Sequence, residues 1–457
     1  MSKILIKNGL LIDTEWKRRA DILITGSTIS KIAPNIECDI TSEEVTVIHA
    51  DGLLVLPGII DAHTHYHLVS RGTVTADSFK EGSRAAAFGG VTTVVDFADD
   101  RDGNLAVSLK DRVSAMKKEM CIDFALHQGV YKFRETLSKE LDEVLELGVG
   151  TIKLFTTYKN VGYMIDNKDE LKEIIKMCRD KNIMVSVHCE DDEMVQNISD
   201  NWKGTFKPAD HAELRPSEVE AKAIRELGVI VQELGASLYI VHLSSKAGLI
   251  EARKLREQGV DIILETTPHY LFLDKTYLAD EEKGPLYVMT PPLRSTEDNE
   301  ALQEALCNGE IQVVATDHCA FAKEQKLESD DCRTIYPGIP GSEEMLPLIH
   351  TLVANGALLT INELVNVLST GPAKKFGLYP QKGTIQVGSD ADLVIFDSEK
   401  IWKLTNDDLH SNADFTPYEG TTVVGKAVMT LLRGRTIVAD DTFLGIPGDG
   451  RFTKAER

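Results

Sequence analysis

The sequence predicts an α/β protein, a (β/α)8 TIM-like barrel with a small β-sandwich built from both chain termini. Two observations predict this fold class. Apolar, β-branched runs alternate with helical segments through the middle of the chain, as in parallel strands joined by helical crossovers. Short strand patterns separated by turn signals occupy both ends of the chain. With 457 residues, the chain is also longer than a single hydrophobic core usually supports.

The two chain ends carry matching strand patterns, three before the barrel and three after it. They are Ile4–Gly9, Asp21–Ile24, Val45–Ile48, Gly383–Gly388, Ala391–Phe396 and Ala427–Leu432. Three short strands bury little surface on their own. We therefore expect residues 1–53 and 376–457 to share one β-sandwich, with a C-terminal tail, and residues 54–375 to form the barrel.

Eight strand candidates fall in the central segment, several of them continuous apolar runs typical of strands buried on both faces. They are Leu54–Ile60, Val91–Phe97, Ile122–Val130, Thr151–Thr157, Ile183–His188, Ser237–His242, Val260–Glu265 and Ile311–Thr316. Capping residues followed by Glu three positions later predict helix starts at Asn167, Ser217 and Thr360. The polar segment Lys323–Arg333 is predicted to be a surface loop.

Charge and composition exclude several classes of function. The formal net charge of −22 argues against binding to nucleic acid or to an anionic membrane. No apolar run approaches the roughly 18–20 residues of a membrane span, and the N-terminus shows no leader pattern. The seven cysteines are scattered and form no CxxC motif, as in reduced proteins. We therefore expect a cytoplasmic protein.

Metal-binding side chains fall at the ends of five predicted barrel strands. They are His63, His65, Lys153, His188, His242 and Asp317. Alone, each has an ordinary explanation: a loop histidine pair, a core histidine or a helix-capping aspartate. However, the carboxyl ends of barrel strands meet on one face, and residues two apart in a strand point to the same side. Together, the six groups predict a binuclear metal site.

Lys153 needs a chemical explanation, because an ammonium group has no lone pair for a metal ion. Burial of a lysine disfavours its charged form, which leaves a nucleophilic amine. Such an amine can capture carbon dioxide as a carbamate and so become an anionic ligand with two oxygens. This N6-carboxylysine could bridge two metal ions about 3.5–4 Å apart, the separation in two-metal hydrolases.

Several motifs give the chain a family resemblance over essentially its whole length. The clearest are Pro57–His65, Lys153–Asn160, Glu265–Leu271, Pro291–Arg294 and Ala315–Cys319. They resemble the dihydropyrimidinase/hydantoinase family of cyclic amidohydrolases, within the amidohydrolase superfamily. In that family the fold is a barrel with a composite β-sandwich, as the patterning also predicts. The resemblance further implies a homotetramer acting on a small cyclic amide.

The resemblance also implies a ligand set and a reaction. The first metal would take His63, His65, carboxylated Lys153 and Asp317, and the second would take the same carbamate with His188 and His242. Zn²⁺ is the default for these nitrogen and oxygen ligands, although Mn²⁺ or Fe²⁺ would also fit. A metal-bridging hydroxide would open the ring of 5-substituted hydantoins or dihydropyrimidines, giving N-carbamoyl amino acids. Asp317 would act as general base and then as general acid.

Four further residues are candidates for substrate contact. Tyr158, five residues after Lys153, would donate a hydrogen bond to the tetrahedral oxyanion, or would only pack. Thr290 stands where hydantoinases usually carry serine, and its backbone would contact the ring. Pro337 stands where relatives tend to carry asparagine, and it has no N–H, so only a carbonyl contact would survive there. His67 would line the pocket of the ring substituent, or would only be solvated.

The sequence leaves two other functions open. Allantoinase or another cyclic ureide hydrolase would use the same metal site, although Tyr158 weighs against it. A non-catalytic, dihydropyrimidinase-like structural protein would be expected to have lost ligands, whereas all six are present here.

Overall fold

The structure is a computed structural model that describes residues 2–37, 45–101, 103–356 and 359–456. Its strands are β1 (Lys3–Ile12), β2 (Lys17–Thr25), β3 (Thr28–Ala33), β4 (Val45–His49), β5 (Leu54–Pro57), β6 (Ile59–Thr64), β7 (Val69–Ser70), β8 (Thr73–Val74), β9 (Val91–Ala98), β10 (Asp123–Gly129), β11 (Thr151–Phe155), β12 (Met184–His188), β13 (Leu238–Ile240), β14 (Ile262–Thr266), β15 (Val313–Val314), β16 (Leu393–Lys403), β17 (Thr422–Leu432), β18 (Arg435–Ala439) and β19 (Thr442–Phe443).

The helices lie mostly between the barrel strands and cover them. They are α1 (Phe79–Phe88), α2 (Leu105–Glu119), α3 (Leu137–Glu146), α4 (Lys168–Asp180), α5 (Asp192–Asn201), α6 (His211–Leu214), α7 (Ser217–Leu234), α8 (Lys246–Glu257), α9 (Pro268–Phe272), α10 (Thr296–Cys307), α11 (Lys323–Leu327), α12 (Met345–Ala354), α13 (Ile361–Val365) and α14 (Gly371–Lys375). Among the described residues, no helix is both long enough and apolar enough to cross a membrane.

The central sheet confirms the predicted barrel. Within the described part of the chain, eight parallel strands follow the order β6-β9-β10-β11-β12-β13-β14-β15. The two edge strands approach each other where Thr64 forms a parallel bridge with His318. Asp61 strengthens this junction, because its carboxylate accepts hydrogen bonds from the Thr316 backbone N–H (3.0 Å) and hydroxyl (2.6 Å). The barrel is thus nearly closed, and its strand ends converge on one face.

The second sheet joins the two chain ends, as predicted. Its order is β19-β18-β17-β16-β5-β1-β2-β3, and β4 also pairs with β1. Two strand predictions were wrong in detail. The segment Gly383–Gly388 forms bends and turns, although Ile385 is buried in this sheet's core. The predicted strand Leu54–Ile60 is two strands, because β5 belongs to the terminal sheet and β6 to the barrel.

Gly58 separates these two strands. A Cβ atom at this position would lie 2.1 Å from the Thr92 hydroxyl oxygen, so only glycine allows the chain to pass from one sheet into the other here. The apolar run continues across Gly58 without a break. The hydrophobic pattern therefore does not indicate that the chain changes from one sheet to the other here.

Two of the three predicted capping residues are confirmed. The Asn167 side chain accepts hydrogen bonds from Asp169 N and Glu170 N, and Thr360 forms a reciprocal capping box with Glu363. The third helix, α7, also begins at the predicted Ser217, but the capping role of Ser217 was wrong, since Pro216 is the N-cap and makes no side-chain capping bond.

Candidate metal and active site

The first group of candidate ligands meets where β6 and β15 end. The Asp317 Oδ1 atom lies 3.2 Å from His63 Nε2 and 3.1 Å from His65 Nε2. These three residues form a cluster whose ligand atoms could share one metal ion. Burial raises the pKa of the Asp317 carboxyl, but the adjacent His63 and His65 outweigh it and hold that pKa well below its usual range. Asp317 is therefore a carboxylate at neutral pH.

Lys153 lies on β11 at the floor of the site. Its side chain is 2% exposed, and its Nζ atom is 5.3 Å from the ring centroids of both Phe97 and Phe155. Burial lowers the pKa of Lys153 to about 8, against the opposing effect of the Asp317 and Glu265 charges. The amine is thus far easier to deprotonate than a surface lysine, as carbamate formation requires.

The second group of candidate ligands is His188, the last residue of β12, and His242, which follows β13. The ring centroids of His188 and His242 are 4.6 Å apart, and His242 is 5.4 Å from His63. Burial lowers the pKa of both His188 and His242, which favours the neutral imidazole that a metal ion needs. The buried His242 Nδ1 atom has no hydrogen-bond partner among the described residues. A buried nitrogen without a hydrogen-bond partner at this position suits a metal ligand.

Two of these residues have strained backbones. His242 has φ 38° and Asp317 has φ 50°, in the left-handed region that residues other than glycine rarely enter. Both follow the short strands β13 and β15, which end earlier than the sequence predicts. The chain leaves the sheet at these points and turns the two side chains toward the centre of the barrel. Strain of this kind is concentrated at functional sites.

Glu265 supports both groups of ligands, and our sequence reasoning gave it no role. Its carboxylate accepts hydrogen bonds from His63 Nδ1 (2.7 Å), the Tyr239 hydroxyl (2.6 Å) and the His242 backbone N–H (3.0 Å). This arrangement fixes the His63 ring and leaves its Nε2 atom facing Asp317. The sequence did indicate a role for Glu265, because this acidic residue lies at the end of a predicted barrel strand. The same criterion identified the candidate metal ligands.

A second carboxylate, Glu190, orients His188. It lies 2.7 Å from His188 Nε2 and also accepts two hydrogen bonds from Arg215, at 3.0 and 2.7 Å. The His188 Nδ1 atom is thereby left for a metal ion. Taken together, the six predicted groups, the orphaned nitrogen and the two supporting carboxylates fit a pair of divalent cations.

A cavity of about 110 Å³ opens directly on these groups. Three of the four candidate substrate contacts, Tyr158, Thr290 and Pro337, line it, and they also line the adjoining open cleft of about 1400 Å³. Burial raises the pKa of Tyr158 to about 12, so its hydroxyl keeps its proton. His67 lies elsewhere: its side chain is exposed, and its ring lies 5.4 Å from that of Phe79.

Lys326 shapes the loop that carries Pro337. The segment Lys323–Arg333 was predicted to be surface, yet the Lys326 side chain is fully buried. Its amine donates to the backbone carbonyls of Val288 (2.7 Å), Tyr336 (3.1 Å) and Gly338 (2.7 Å). The carbonyls of Tyr336 and Gly338, on either side of Pro337, therefore both accept a hydrogen bond from Lys326. None of the described residues donates to the Pro337 carbonyl itself.

Comparisons with known proteins agree with this geometry. The amidohydrolase family model matches residues 54–437. The chain is 35% identical to the D-hydantoinase of Ralstonia pickettii over 99% of both chains. Among solved structures, the dihydropyrimidinase of Brevibacillus agri aligns with a TM-score of 0.95, 33% identity and full coverage of both chains. The D-hydantoinase (dihydropyrimidinase) of a Thermus species aligns with a TM-score of 0.95, 34% identity and 99% coverage of each.

The chain belongs to the dihydropyrimidinase/hydantoinase family of cyclic amidohydrolases. It is therefore an enzyme, and the barrel with its two-ended sheet is the fold of this family. Membership of the amidohydrolase family also implies dependence on metal ions, for which His63, His65 and Asp317 provide a candidate group.

Proposed function

We propose that this hydantoinase family member hydrolyses the ring amide bond of 5-substituted hydantoins or dihydropyrimidines and releases N-carbamoyl amino acids. The observation that carries the proposal is the convergence of His63, His65, Lys153, His188, His242 and Asp317 on one small cavity that Tyr158 also lines. The relatives named D-hydantoinase and dihydropyrimidinase over nearly the whole chain support it.

The metal assignment follows the two groups of side chains. His63, His65 and Asp317 would hold one cation, His188 and His242 would hold the second, and the carbamate of Lys153 would join them. Zn²⁺ suits this donor set, and Mn²⁺ or Fe²⁺ would also be accepted. When bound, such a pair supplies a Lewis acid for the ring carbonyl and an activated water.

Asp317 would move the proton in this reaction. Its carboxylate is ionised and only partly exposed, with 18% of the side chain accessible. It can accept the proton of the attacking water and then deliver it to the ring nitrogen as the C–N bond breaks. Since the same carboxylate contacts His63 and His65, the proton acceptor is held in a fixed position.

Thr290 and Pro337 would hold the ring. Thr290 and Tyr158 both line the cavity, so the two side chains can contact the same substrate ring. The free carbonyl of Pro337 can accept from a ring N–H, so the missing backbone N–H of proline does not remove this contact. We also expect a homotetramer, as the family resemblance implies, which light scattering would test.

A substrate panel tests the proposed function. Dihydrouracil, 5-phenylhydantoin, allantoin and dihydroorotate would be compared by the loss of ring absorbance. We expect hydrolysis of 5-phenylhydantoin or dihydrouracil at a higher kcat/KM than the other two. Preference for allantoin over both would contradict the proposal and favour a ureide hydrolase.

Removal of the Tyr158 hydroxyl should slow the chemical step. In Tyr158→Phe, kcat should fall by about 10²–10³-fold, the usual effect of one oxyanion donor, while the metal content stays unchanged. Steady-state kinetics and metal analysis would measure both quantities. Tyr131→Phe is the matched control, because the Tyr131 hydroxyl lines the same cavity but donates to Asp99 at 2.7 Å. A kcat for Tyr158→Phe equal to that of the control would remove the assigned role.

The lowered pKa of Lys153 gives carbamate formation a defined pH dependence. Only the free amine attacks carbon dioxide, and its pKa is about 8, so the deprotonated fraction rises through pH 8 and then levels off. For metal-free enzyme mixed with Zn²⁺ at a fixed concentration of dissolved carbon dioxide, we expect the initial rate of reactivation to rise about tenfold per pH unit below that value. A rate still rising steeply at pH 9 to 10 would indicate an ordinary, unperturbed lysine.

A further inference from the structure

A short hairpin places an arginine at the mouth of the catalytic cavity. Strands β7 and β8 pair through Ser70 and Thr73, and the two residues between them, Arg71 and Gly72, both have positive φ, at 49° and 81°. Positive φ at both residues is typical of a two-residue type I′ turn, whose backbone twist matches that of the flanking strands. Such turns are usually formed by asparagine followed by glycine. An arginine in the first position is uncommon, and it presents the guanidinium at the tip of the hairpin.

The hairpin is fixed in place by its neighbours. Arg101 donates to the Val69 carbonyl at 2.9 Å. Gln325 donates to the Thr73 hydroxyl at 2.7 Å and to the Val74 carbonyl at 3.1 Å. These bonds hold both strands of the hairpin, so the position of Arg71 is set by the fold.

The Arg71 side chain faces the reacting groups. Its Cζ atom lies 5.9 Å from the ring centroid of Tyr158, and Arg71 lines both the inner cavity and the outer cleft. A substrate substituent that extends from the inner cavity into the cleft would pass this guanidinium.

Arg71 also differs from the other basic residues around the cleft. Each of four others pairs with a carboxylate: Lys159 with Asp166, Lys168 with Glu226, Arg215 with Glu190, and Arg333 with Asp331. Asp99, which also lines the cavity, pairs with Arg101 at 2.7 Å. Arg71 has no carboxylate partner among the residues that the structure describes. Its charge is available to a ligand.

We propose that Arg71 selects substrates whose ring substituent carries a carboxylate. This inference rests on the proposed hydantoin hydrolysis and names the substituent class at that site. A guanidinium forms short, charge-assisted hydrogen bonds with a carboxylate. The hairpin fixes the backbone of Arg71, and the exposed Arg71 side chain lies beside the Tyr158 ring, at the mouth of the cavity.

Two hydantoins of equal size test this inference. The 5-carboxymethyl and 5-carbamoylmethyl hydantoins differ only in the charge of the substituent, so the ratio of their kcat/KM values measures charge selection. In the metal-loaded enzyme we expect the carboxylate to be favoured. In Arg71→Gln the ratio should fall about tenfold, the effect expected for one charge-assisted hydrogen bond. Arg71→Lys should keep part of the preference, and added salt should weaken it in the wild type.

Arg18→Gln is the matched control. Arg18 lies over the Trp16 ring at 4.4 Å in the terminal sheet, so the change removes the same charge from the same kind of contact. Its substrate ratio should equal that of the wild type. An unchanged ratio in Arg71→Gln, with both hydantoins hydrolysed, would overturn the role of Arg71 and leave hydantoin hydrolysis standing. Hydrolysis of neither compound, nor of 5-phenylhydantoin, would overturn both proposals.

Discussion

Replacement of Lys153 with alanine is expected to abolish both metal retention and hydrolysis. Once it is carbamylated, the Lys153 amine would be an anion between the two groups of ligands. Alanine cannot form this anion, so the two groups would have no shared ligand. Loss of a pair of metal ions costs several kcal/mol of transition-state stabilisation, so kcat/KM should fall by at least about 10³-fold. Metal analysis after gel filtration and turnover of 5-phenylhydantoin would measure the two effects.

A small carboxylic acid should partly restore the Lys153→Ala variant. Acetate or propionate can occupy the vacated volume and offer the two oxygens of the missing carbamate. We expect activity to rise with carboxylate concentration only when metal is also supplied. Lys139→Ala is the control, because this lysine is 82% exposed on α3 and its loss should change neither quantity. Full activity and two metals per chain in Lys153→Ala would contradict the bridging role.

Replacement of Asp317 with asparagine is expected to stop turnover with a smaller loss of metal. The amide keeps the shape of the side chain and one oxygen near His63 and His65, but it cannot accept the proton of the attacking water. Since a positioned acid–base group contributes about 10²–10⁴-fold, and a metal ligand is weakened as well, kcat should fall by about 10³-fold or more. Stopped assays at high enzyme concentration would measure the residual rate.

The control for this variant is Asp407→Asn, at an exposed carboxylate in the loop after β16. It should behave as the wild type. The pH profile gives a further check, because the Asp317 pKa is held well below its usual range by the two histidines. Activity of the wild type should therefore not be lost through protonation of Asp317 between pH 5 and 7. A kcat of Asp317→Asn within tenfold of the wild type would contradict the proton-transfer role.

The barrel was predictable because buried parallel strands leave continuous apolar runs in the sequence. The same logic found the candidate ligands. A polar side chain at the end of such a run has to lie on the carboxyl face of the barrel, so His63, His188 and Asp317 could be grouped although up to 254 residues separate them along the chain. The structure does bring them to one cavity.

Other parts of the site depended on contacts that no local pattern reports. The buried amine of Lys326 looked like any surface lysine, because its carbonyl acceptors Val288, Tyr336 and Gly338 belong to two other segments that fold around it. The ion pair of Glu190 with Arg215 also joins separate segments. The positive φ of His242 and Asp317 occurs where the chain leaves the short strands β13 and β15. These features follow from tertiary packing, which periodicity and motif spacing do not encode.

The central claim is that Lys153 carries a carbamate that joins two metal ions. The most direct measurement is a high-resolution crystal structure of the active, fully metal-loaded enzyme, with attention to the electron density beyond Lys153 Nζ. The claim predicts density for one carbon and two oxygens, with one oxygen facing the cation at His63 and His65 and the other facing the cation at His188 and His242. A bare amine at Lys153 in such an active crystal would contradict it.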